Sequence, residues 1–458
     1  MAISTFLGLE TALRGILAQQ QALDVTGHNI ANANTDGYTR QRVELTPFVT
    51  FRGYGLDAPV IGGELGGGVD VAAISRVRDQ YLDNQYRAQS MRSGYYQALD
   101  EGLKQVDQTL GEPSDSGVST LLAKFWSAWQ DVANAPESLA ARQALVQAGS
   151  ALADGIQQLR AQLTTFQSQN GALETQTLGD LNSYTQQIYD LNTQIKKTEA
   201  LGTTPNDLLD ARDALVDKVS QLVNAAVTAN SDGTVTITVG SGASLVTLVD
   251  NTGPYAPVTL TQLTTPNPPD PAALTSGKLK GLVDLDAKLT SYMGSLDAVA
   301  AKLIADVNAQ QAAGFDLYGN AGVAFFSGTG ASDIRVAAAV QADPKLVAAS
   351  SSGAPGDGGN AIAAAGLGRA SGGADSLYRQ LVTTIGSDAQ SAQRSSDAAQ
   401  TLLRSISSRR MSVAGVSLDE EMANLLAYQR GFQASARALT AMDDMIGLLV
   451  TRTGRAGL

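Results

Sequence analysis

The chain has 458 residues, 32 Lys and Arg against 44 Asp and Glu, and a formal net charge of −12. This length predicts roughly two to four domains, and the acidic charge disfavours binding to nucleic acid phosphates or anionic membrane surfaces. The absence of Cys and the single His, His28, exclude disulfides, thiolate metal sites and most histidine-based acid–base chemistry.

The first predicted helix covers residues 4–34, with Ser4 as its N-cap and Gly37 in the left-handed position beyond its end. Its large apolar residues recur in alternating steps of three and four, the spacing of a narrow stripe on one side of a helix. They are Phe6, Leu9, Leu13, Ile16, Leu23 and Ile30. The standard signs of a secretory signal peptide are missing from these first residues, and no run of about 18 apolar residues predicts a membrane span.

An asparagine-rich stretch lies at the end of this helix, at Asn29, Asn32 and Asn34. Asn is a weak helix former because its side chain competes for backbone hydrogen bonds. One interpretation is a fraying helix end. The other, which we adopt as a hypothesis, is that these three amides form hydrogen bonds between subunits.

The middle of the chain alternates between extended and helical segments. Residues 38–75 are predicted to be extended, with glycines at 53, 55, 62 and 63 between short strands and a strand at 69–74. Helices are predicted at 78–110, 118–133, 138–200, 206–224, 277–312 and 376–411. Trp126 and Trp129 lie at helical spacing and are expected to anchor a helical core.

A change of pattern separates residues 226–275 from their helical surroundings. Thr234–Val239 alternates β-branched residues after the turn-forming pair Asp232-Gly233, and four prolines lie between Pro266 and Pro271. We therefore expect a small β-rich module that faces outward and can be replaced without loss of folding.

The last predicted helix begins at a capping box formed by Ser417 and Glu420. It carries a second apolar stripe with the same spacing as the first, made of Leu425, Tyr428, Phe432, Leu439, Met442, Ile446 and Leu449. Two matched stripes at opposite ends of a chain favour pairing with each other or with copies of themselves.

The predicted fold class is mainly α, with terminal helices paired as a coiled coil, a long-helix bundle and an inserted β-rich module. The predicted domains are a terminal coiled coil (1–45 and 412–458), a helical bundle with short strands (46–225 and 276–411) and the β-rich module (226–275). The predicted assembly interface consists of both apolar stripes together with Asn29, Asn32 and Asn34. No catalytic, cofactor or metal site is predicted.

Two weak signals leave an enzyme as an alternative. Gly356–Ala361 matches a GxGxxA pattern, but a dinucleotide site needs a strand before it, and Ser350-Ser351-Ser352-Gly353 precedes it here. His28 is expected on a polar helix surface. A secreted coiled-coil adhesin is a third possibility.

Both ends of the chain resemble signatures of the bacterial flagellar rod, hook and hook-associated protein family. Asn29–Gln41 is similar to the N-terminal signature, and Val416–Glu421 with Tyr428–Arg430 and Gln433–Arg437 is similar to the C-terminal one. Interior segments resemble the hook-associated members, namely Gly68–Val71, Ile74–Arg76, Ala141–Leu145, Pro205–Asp213, Asp316–Asn320 and Phe325-Phe326.

The resemblance implies a non-catalytic structural protein at the junction between hook and filament. It also implies export through the flagellar channel without cleavage of a signal, and an extracellular location. The implied partners are copies of the chain itself, the hook protein, hook-associated protein 3 and an export chaperone at the C-terminal helix. A hook- or rod-type member of the same family is the alternative that the resemblance leaves open.

Overall fold

The computed structural model describes residues 6–48, 66–112, 114, 117–267 and 271–452. The predicted mainly α fold class is confirmed. The described helices are α1 (Leu7–Ala31), α2 (Gln80–Leu110), α3 (Val118–Asn134), α4 (Leu139–Glu199), α5 (Asn206–Leu222), α6 (Leu260–Thr264), α7 (Lys278–Ala312), α8 (Ala338–Ala342), α9 (Gly359–Gly366), α10 (Ala374–Ala414) and α11 (Leu418–Arg452). The strands are β1 (Gln41–Pro47), β2 (Val69–Arg76), β3 (Ala225–Ala229), β4 (Val235–Val239), β5 (Val246–Val249), β6 (Phe326–Ser327) and β7 (Arg335–Val336).

Two sequence predictions lie outside the described residues, and two others are placed differently by the structure. The predicted N-cap Ser4 and the glycines at 53–63 lie outside the described residues. The first helix ends at Ala31 rather than residue 34, because Asn32 ends the helix with its amide donating to the His28 carbonyl (3.1 Å). Gly37 does adopt a left-handed conformation (φ +80°), but in the turn that leads into β1.

The body of the molecule is a bundle of α2, α3, α4, α7 and α10 around one hydrophobic core. Trp129 is buried in it and packs against Phe125 and Phe325, with ring centroids 6.4 and 5.7 Å away. Trp126 lies at its edge and donates to the Asp375 carboxylate (2.7 Å). The predicted aromatic anchor is therefore present, with Trp129 as its centre.

The β-rich segment forms an antiparallel sheet in the order β3-β4-β5. Its core is shared with α4 and α5, since Leu181, Ile188 and Val216 belong to the same buried cluster as Ile237. Asn192 of α4 also pairs with the backbone of β4 at Val235, donating to its carbonyl (2.8 Å) and accepting from its amide (3.2 Å). Removal of 226–275 would expose this cluster, so the packing does not support the expected replaceable module. We propose an outer domain that also includes α5 and the C-terminal half of α4.

A two-stranded antiparallel hairpin, β1 with β2, lies against α1. Its register runs from Gln41 opposite Arg76 to Pro47 opposite Val69. Arg14 of α1 stacks over the Phe48 ring (3.7 Å to the centroid). Because the hairpin packs on α1, we propose that it belongs to the terminal domain and not to the helical bundle.

Arg142 is a buried cation that no carboxylate pairs with among the described residues. Only 1% exposed, it donates to the carbonyls of Pro136 (2.8 Å), Lys345 (3.3 Å) and Val347, and so joins the start of α4 to the segment after α8. Burial lowers its pKa.

Replacing Arg142 by Met is expected to lower the free energy of unfolding by about 3 kcal/mol, because one buried and two partly buried carbonyls lose a charged donor. Urea denaturation followed by tryptophan fluorescence measures this. The matched control, exposed Arg335→Met, should change it by less than about 0.5 kcal/mol. Equal effects at both positions would contradict the assignment.

Candidate assembly interface

The two terminal helices pair antiparallel along their length. A Cβ built on Gly8 would lie 2.5 Å from Met442 Sδ, and one built on Gly15 would lie 2.9 Å from Ser435 Oγ. At the other end of the pair, the Asn29 amide donates to the Glu421 carboxylate (3.1 Å). The predicted pairing of the chain ends is confirmed.

The side of α1 that faces α11, here called the pairing face, consists mainly of small residues, with Gln19 against Gly431 as the longest side chain: Gly8, Ala12, Gly15, Gln19, Ala22 and Asn29. Ala12, Ala22 and Asn29 are buried. Small side chains let the two helices approach closely, which explains the short distances from Gly8 and Gly15.

The predicted stripe on α1 lies beside the pairing face rather than on it, and its role in assembly stays a prediction. Leu9, Leu13, Ile16, Leu23 and Ile30 each directly follow a pairing-face residue and therefore point about 100° further round the helix. Phe6 and Leu13 are exposed, 57% and 46%, whereas Leu9, Ile16, Leu23 and Ile30 are half-buried. The predicted period of the stripe is correct, but the short distances to α11 come from the small residues Gly8 and Gly15.

The predicted stripe on α11 fits the half-buried side of that helix. Leu425, Tyr428, Phe432, Leu439, Met442 and Ile446 are all half-buried there, and Met442 and Ser435 of the same row face α1. Leu449 is the exception, at 50% exposure. At the Gly8 and Gly15 contacts the larger side chain comes from α11, whereas at Gly431 it comes from Gln19 of α1.

Both helices leave large apolar side chains in solvent on the sides away from the pair. We call these the outward faces, consisting of Phe6, Leu13 and Leu17 on α1 and Leu418, Met422, Leu426, Met445, Leu448, Leu449 and Val450 on α11. Each is 46–73% exposed. Exposed large apolar side chains of this kind are typical of surfaces that bind other proteins.

Asn29 has another role than the predicted contact between subunits. Its Oδ1 accepts from the Tyr38 hydroxyl (2.7 Å) and the Gln41 amide (2.9 Å), and its Nδ2 donates to the Gln41 carbonyl (2.9 Å) and Glu421 (3.1 Å). Those four bonds use its whole hydrogen-bonding capacity inside one chain. Burial, with Asp207 and Asp210 nearby, raises the pKa of Tyr38, so its hydroxyl stays protonated as a donor.

Asn32 and Asn34 differ from Asn29. Asn32 donates to the His28 carbonyl and accepts from the Thr35 hydroxyl (3.1 Å), so it is engaged in ending α1. Asn34 is exposed. Of the three amides, only Asn34 stays available for the contact between subunits that the sequence predicted.

The start of α11 is held by Arg40. Its guanidinium pairs with Glu420 (2.7 Å) and with Glu421 (2.7 Å), whose side chain is 2% exposed. Ser417 Oγ accepts from the Glu420 amide (3.5 Å), as the predicted capping box requires, whereas the Glu420 carboxylate turns to Arg40. The box is therefore half formed.

An arginine–aspartate cluster joins the hairpin to the body, and the sequence analysis missed it. Asp213 of α5 accepts from Arg76 (2.8 Å) and Arg78, and Asp210 accepts from Arg76 (2.8 Å). Arg410 of α10 extends the cluster to Asp83 (2.7 Å) and Asp217 (2.6 Å). The available signal was the segment Pro205–Asp213, which the resemblance quoted without a role.

His28 and the glycine-rich stretch, the two signals for an enzyme, each lie among local polar partners. His28 is half-buried beside the Tyr38 hydroxyl (3.0 Å), and its Nε2 lies 4.0 Å from Asp207. Asp357 of the glycine-rich stretch accepts from the amides of Ser351 and Ser352 (both 2.8 Å), within a loop that leads into α9. This stretch therefore follows a loop instead of the strand that a dinucleotide site needs.

Within the described ranges, no group of three or more His, Cys, Asp or Glu is placed to hold a metal ion. Nor is any described helix both long and apolar enough to cross a membrane.

Family models match three parts of the chain. The model described as the helical domain of flagellar hook-associated protein FlgK matches residues 103–326. Residues 407–451 match the C-terminal model of the flagellar basal body rod proteins FlgEFG, and residues 9–39 match the flagella basal body rod protein model. The two rod models thus match α1 and α11.

Similar proteins agree with these matches. Flagellar hook-associated protein 1 of Bacillus subtilis (strain 168) is 31% identical over 508 aligned positions, which cover 99% of each chain. The Escherichia coli (strain K12) protein of that name is 30% identical and matches 70% of this chain and 59% of its own length. The structure of the hook junction protein FlgK from Burkholderia pseudomallei has the same fold, with a TM-score of 0.60 at 17% identity over 72% of this chain and 100% of that one.

Full-length identity above 30% and matches at both terminal helices and in the helical body lead to one conclusion: the chain belongs to the flagellar hook-associated protein 1 family.

Proposed function

We propose that the chain is a structural axial protein that forms the junction between the flagellar hook and filament by self-assembly through its terminal helices. Family membership supports the junction role. The exposed apolar outward faces of α1 and α11 are the observation that supports assembly through these helices.

The amount of apolar surface left in solvent supports contacts with neighbouring subunits. Complete burial of one Val, Leu, Met or Phe side chain contributes about 1.5–3 kcal/mol. Ten such side chains on the outward faces are 46–73% exposed, so about half of that contribution is still available at each of them. Because the pair buries only one side of each helix, lateral neighbours would stabilise it by burying further apolar surface.

The specific partners follow from the family and from the position of these faces. The proposed partners are further copies of the chain, the hook protein and hook-associated protein 3. An export chaperone would cover the apolar end of α11 at Met445, Leu448, Leu449 and Val450 before assembly. The proposed location is extracellular, at the end of the hook.

Two alternatives remain as outcomes of the test. A hook- or rod-type axial protein would use the same terminal helices but act at an earlier stage of assembly. A secreted adhesin would leave the flagellum unchanged when it is absent. The enzyme alternative lacks a supporting site in the described part of the chain.

Electron microscopy of cells that lack this protein tests the proposal. We expect complete hooks without filaments, and secreted filament subunits in the medium, because the hook then has no surface on which a filament can start. Expression of the wild-type chain from a plasmid is the control and should restore filaments. Missing hooks would indicate a hook or rod protein, and normal filaments would contradict any junction role.

A further inference from the structure

We propose that Asn29 and Glu421 set the register of the terminal helix pair. The other contact residues of α1 and α11 would accept several registers, and this polar pair selects one of them. This inference goes beyond assembly. It concerns the fold of a single chain before any neighbour is present.

The pairing face of α1 is nearly the same at each heptad. Positions seven residues apart are Gly8, Gly15, Ala22 and Asn29. A slip of one heptad would bring Gly15 opposite Met442, where Gly8 now lies, and would exchange one glycine for another. Apart from the contact of Gln19 with Gly431, this part of the pair therefore contains little information about register. The apolar row on α11 is periodic in the same way.

The contact between Asn29 and Glu421, at the other end of the helix pair, distinguishes the registers. Glu421 is 2% exposed and bonded to Asn29 on one side and Arg40 on the other. In one slipped register the carboxylate would lie opposite Ala22, away from the Asn29 amide. In the other, Glu421 would pass the end of α1 and Tyr428 would face Asn29.

A buried carboxylate without its hydrogen-bond and ion-pair partners is strongly disfavoured. A single buried polar pair on an otherwise apolar helix contact is known to select register at some cost in stability. Both slipped registers separate Glu421 from Asn29, so both are disfavoured for the same reason.

Asn29 is oriented for this role by its own neighbours. Tyr38 and the backbone of Gln41 occupy both acceptor positions and one donor position of the amide, which leaves one N–H directed at α11. That remaining N–H donates to the Glu421 carboxylate (3.1 Å). Asn29 and Glu421 are positioning residues in this sense.

Disulfide trapping in the full-length chain tests the inference directly, because the natural sequence has no Cys. A Cβ built on Gly15 would lie 3.5 Å from the Ser435 Cβ, within the disulfide range of about 3.5–4.5 Å. The pair Gly15→Cys with Ser435→Cys reports the observed register. Gly15→Cys with Met442→Cys, or with Tyr428→Cys, reports a slip of one heptad in either direction.

In the otherwise natural chain we expect cross-linking at Ser435→Cys to dominate. With Asn29→Leu and Glu421→Leu added, the ratio of observed to slipped cross-links should fall at least about tenfold. The Ala pair Asn29→Ala with Glu421→Ala should do the same, and fluorescence of the tryptophans in the body shows whether each variant is folded.

The matched control is Asn34→Leu with Glu420→Leu, which makes the same changes at two exposed positions and also removes an ion pair of Arg40. Its cross-linking ratio should equal that of the natural chain. Retention of the observed register in both Leu and Ala variants would overturn the proposal. The short connections at the helix ends would then be what sets the register. A slip of equal size in the control would overturn it as well. The measurement uses the isolated chain, so it fails or succeeds independently of the proposed role in the flagellum.

Discussion

Replacing Leu13 and Leu17 by Glu is expected to abolish filament growth while leaving the chain folded. Both side chains lie on the outward face of α1, 46% and 56% exposed, so the monomer tolerates a charge there, and Leu and Glu have similar helix propensities. In an assembled tube the two carboxylates would be buried between subunits without partners. The cost is several kcal/mol for each ion, or more than about a thousandfold in the association constant.

Electron microscopy and swimming assays measure the loss of filaments, and circular dichroism with tryptophan fluorescence measures folding of the purified monomer. The control is Leu201→Glu with Leu245→Glu, which makes the same change at two Leu residues, 83% and 50% exposed, away from the terminal helices. The control strain should swim normally. Normal filaments in the Leu13 and Leu17 variant would show that the outward face of α1 stays in solvent after assembly.

Replacing Asp213 by Asn is expected to lower the free energy of unfolding by about 3–5 kcal/mol. Asp213 is buried between Arg76 and Arg78, and loss of one member of a buried ion pair leaves uncompensated charge. Urea denaturation at pH 7 measures the change. Asp306→Asn, which removes a surface pair with Lys302 (2.9 Å) on α7, is the matched control and should cost less than about 1 kcal/mol. Equal costs would mean that the arginine–aspartate cluster contributes no more than a surface pair.

The same variant has a pH dependence with a definite sign. Burial alone would raise the pKa of Asp213, but Arg78 and Arg76 offset it, and the pKa lies below its ordinary value. A carboxylate of this kind stabilises the fold fully above the unfolded pKa of about 4 and loses that contribution as the pH falls through the folded pKa. The stability difference between the natural chain and Asp213→Asn should therefore be constant from about pH 5 to 7 and shrink below pH 4. A difference that grows towards acid pH would contradict this sign.

The sequence by itself determined the long helices, their period and the family. Heptad spacing depends on local helix geometry, so the stripe on α11 from Leu425 to Ile446 could be read directly, as could the start of that helix at Ser417. The signatures at both ends sufficed for the resemblance, and the comparisons confirm it.

Which residues make the contacts was decided by the tertiary structure. Sequence patterns emphasise large apolar residues, so they pointed to Leu13 rather than to Gly8 and Gly15, whose small size matters only once α11 packs against them. In the same way, the sequence pointed to a contact between subunits for the Asn29 amide, because its partners Gln41 and Glu421 lie 12 and 392 residues away along the chain. Hydrogen bonds and ion pairs between distant segments leave no periodic pattern, and only the folded chain brings their two halves together.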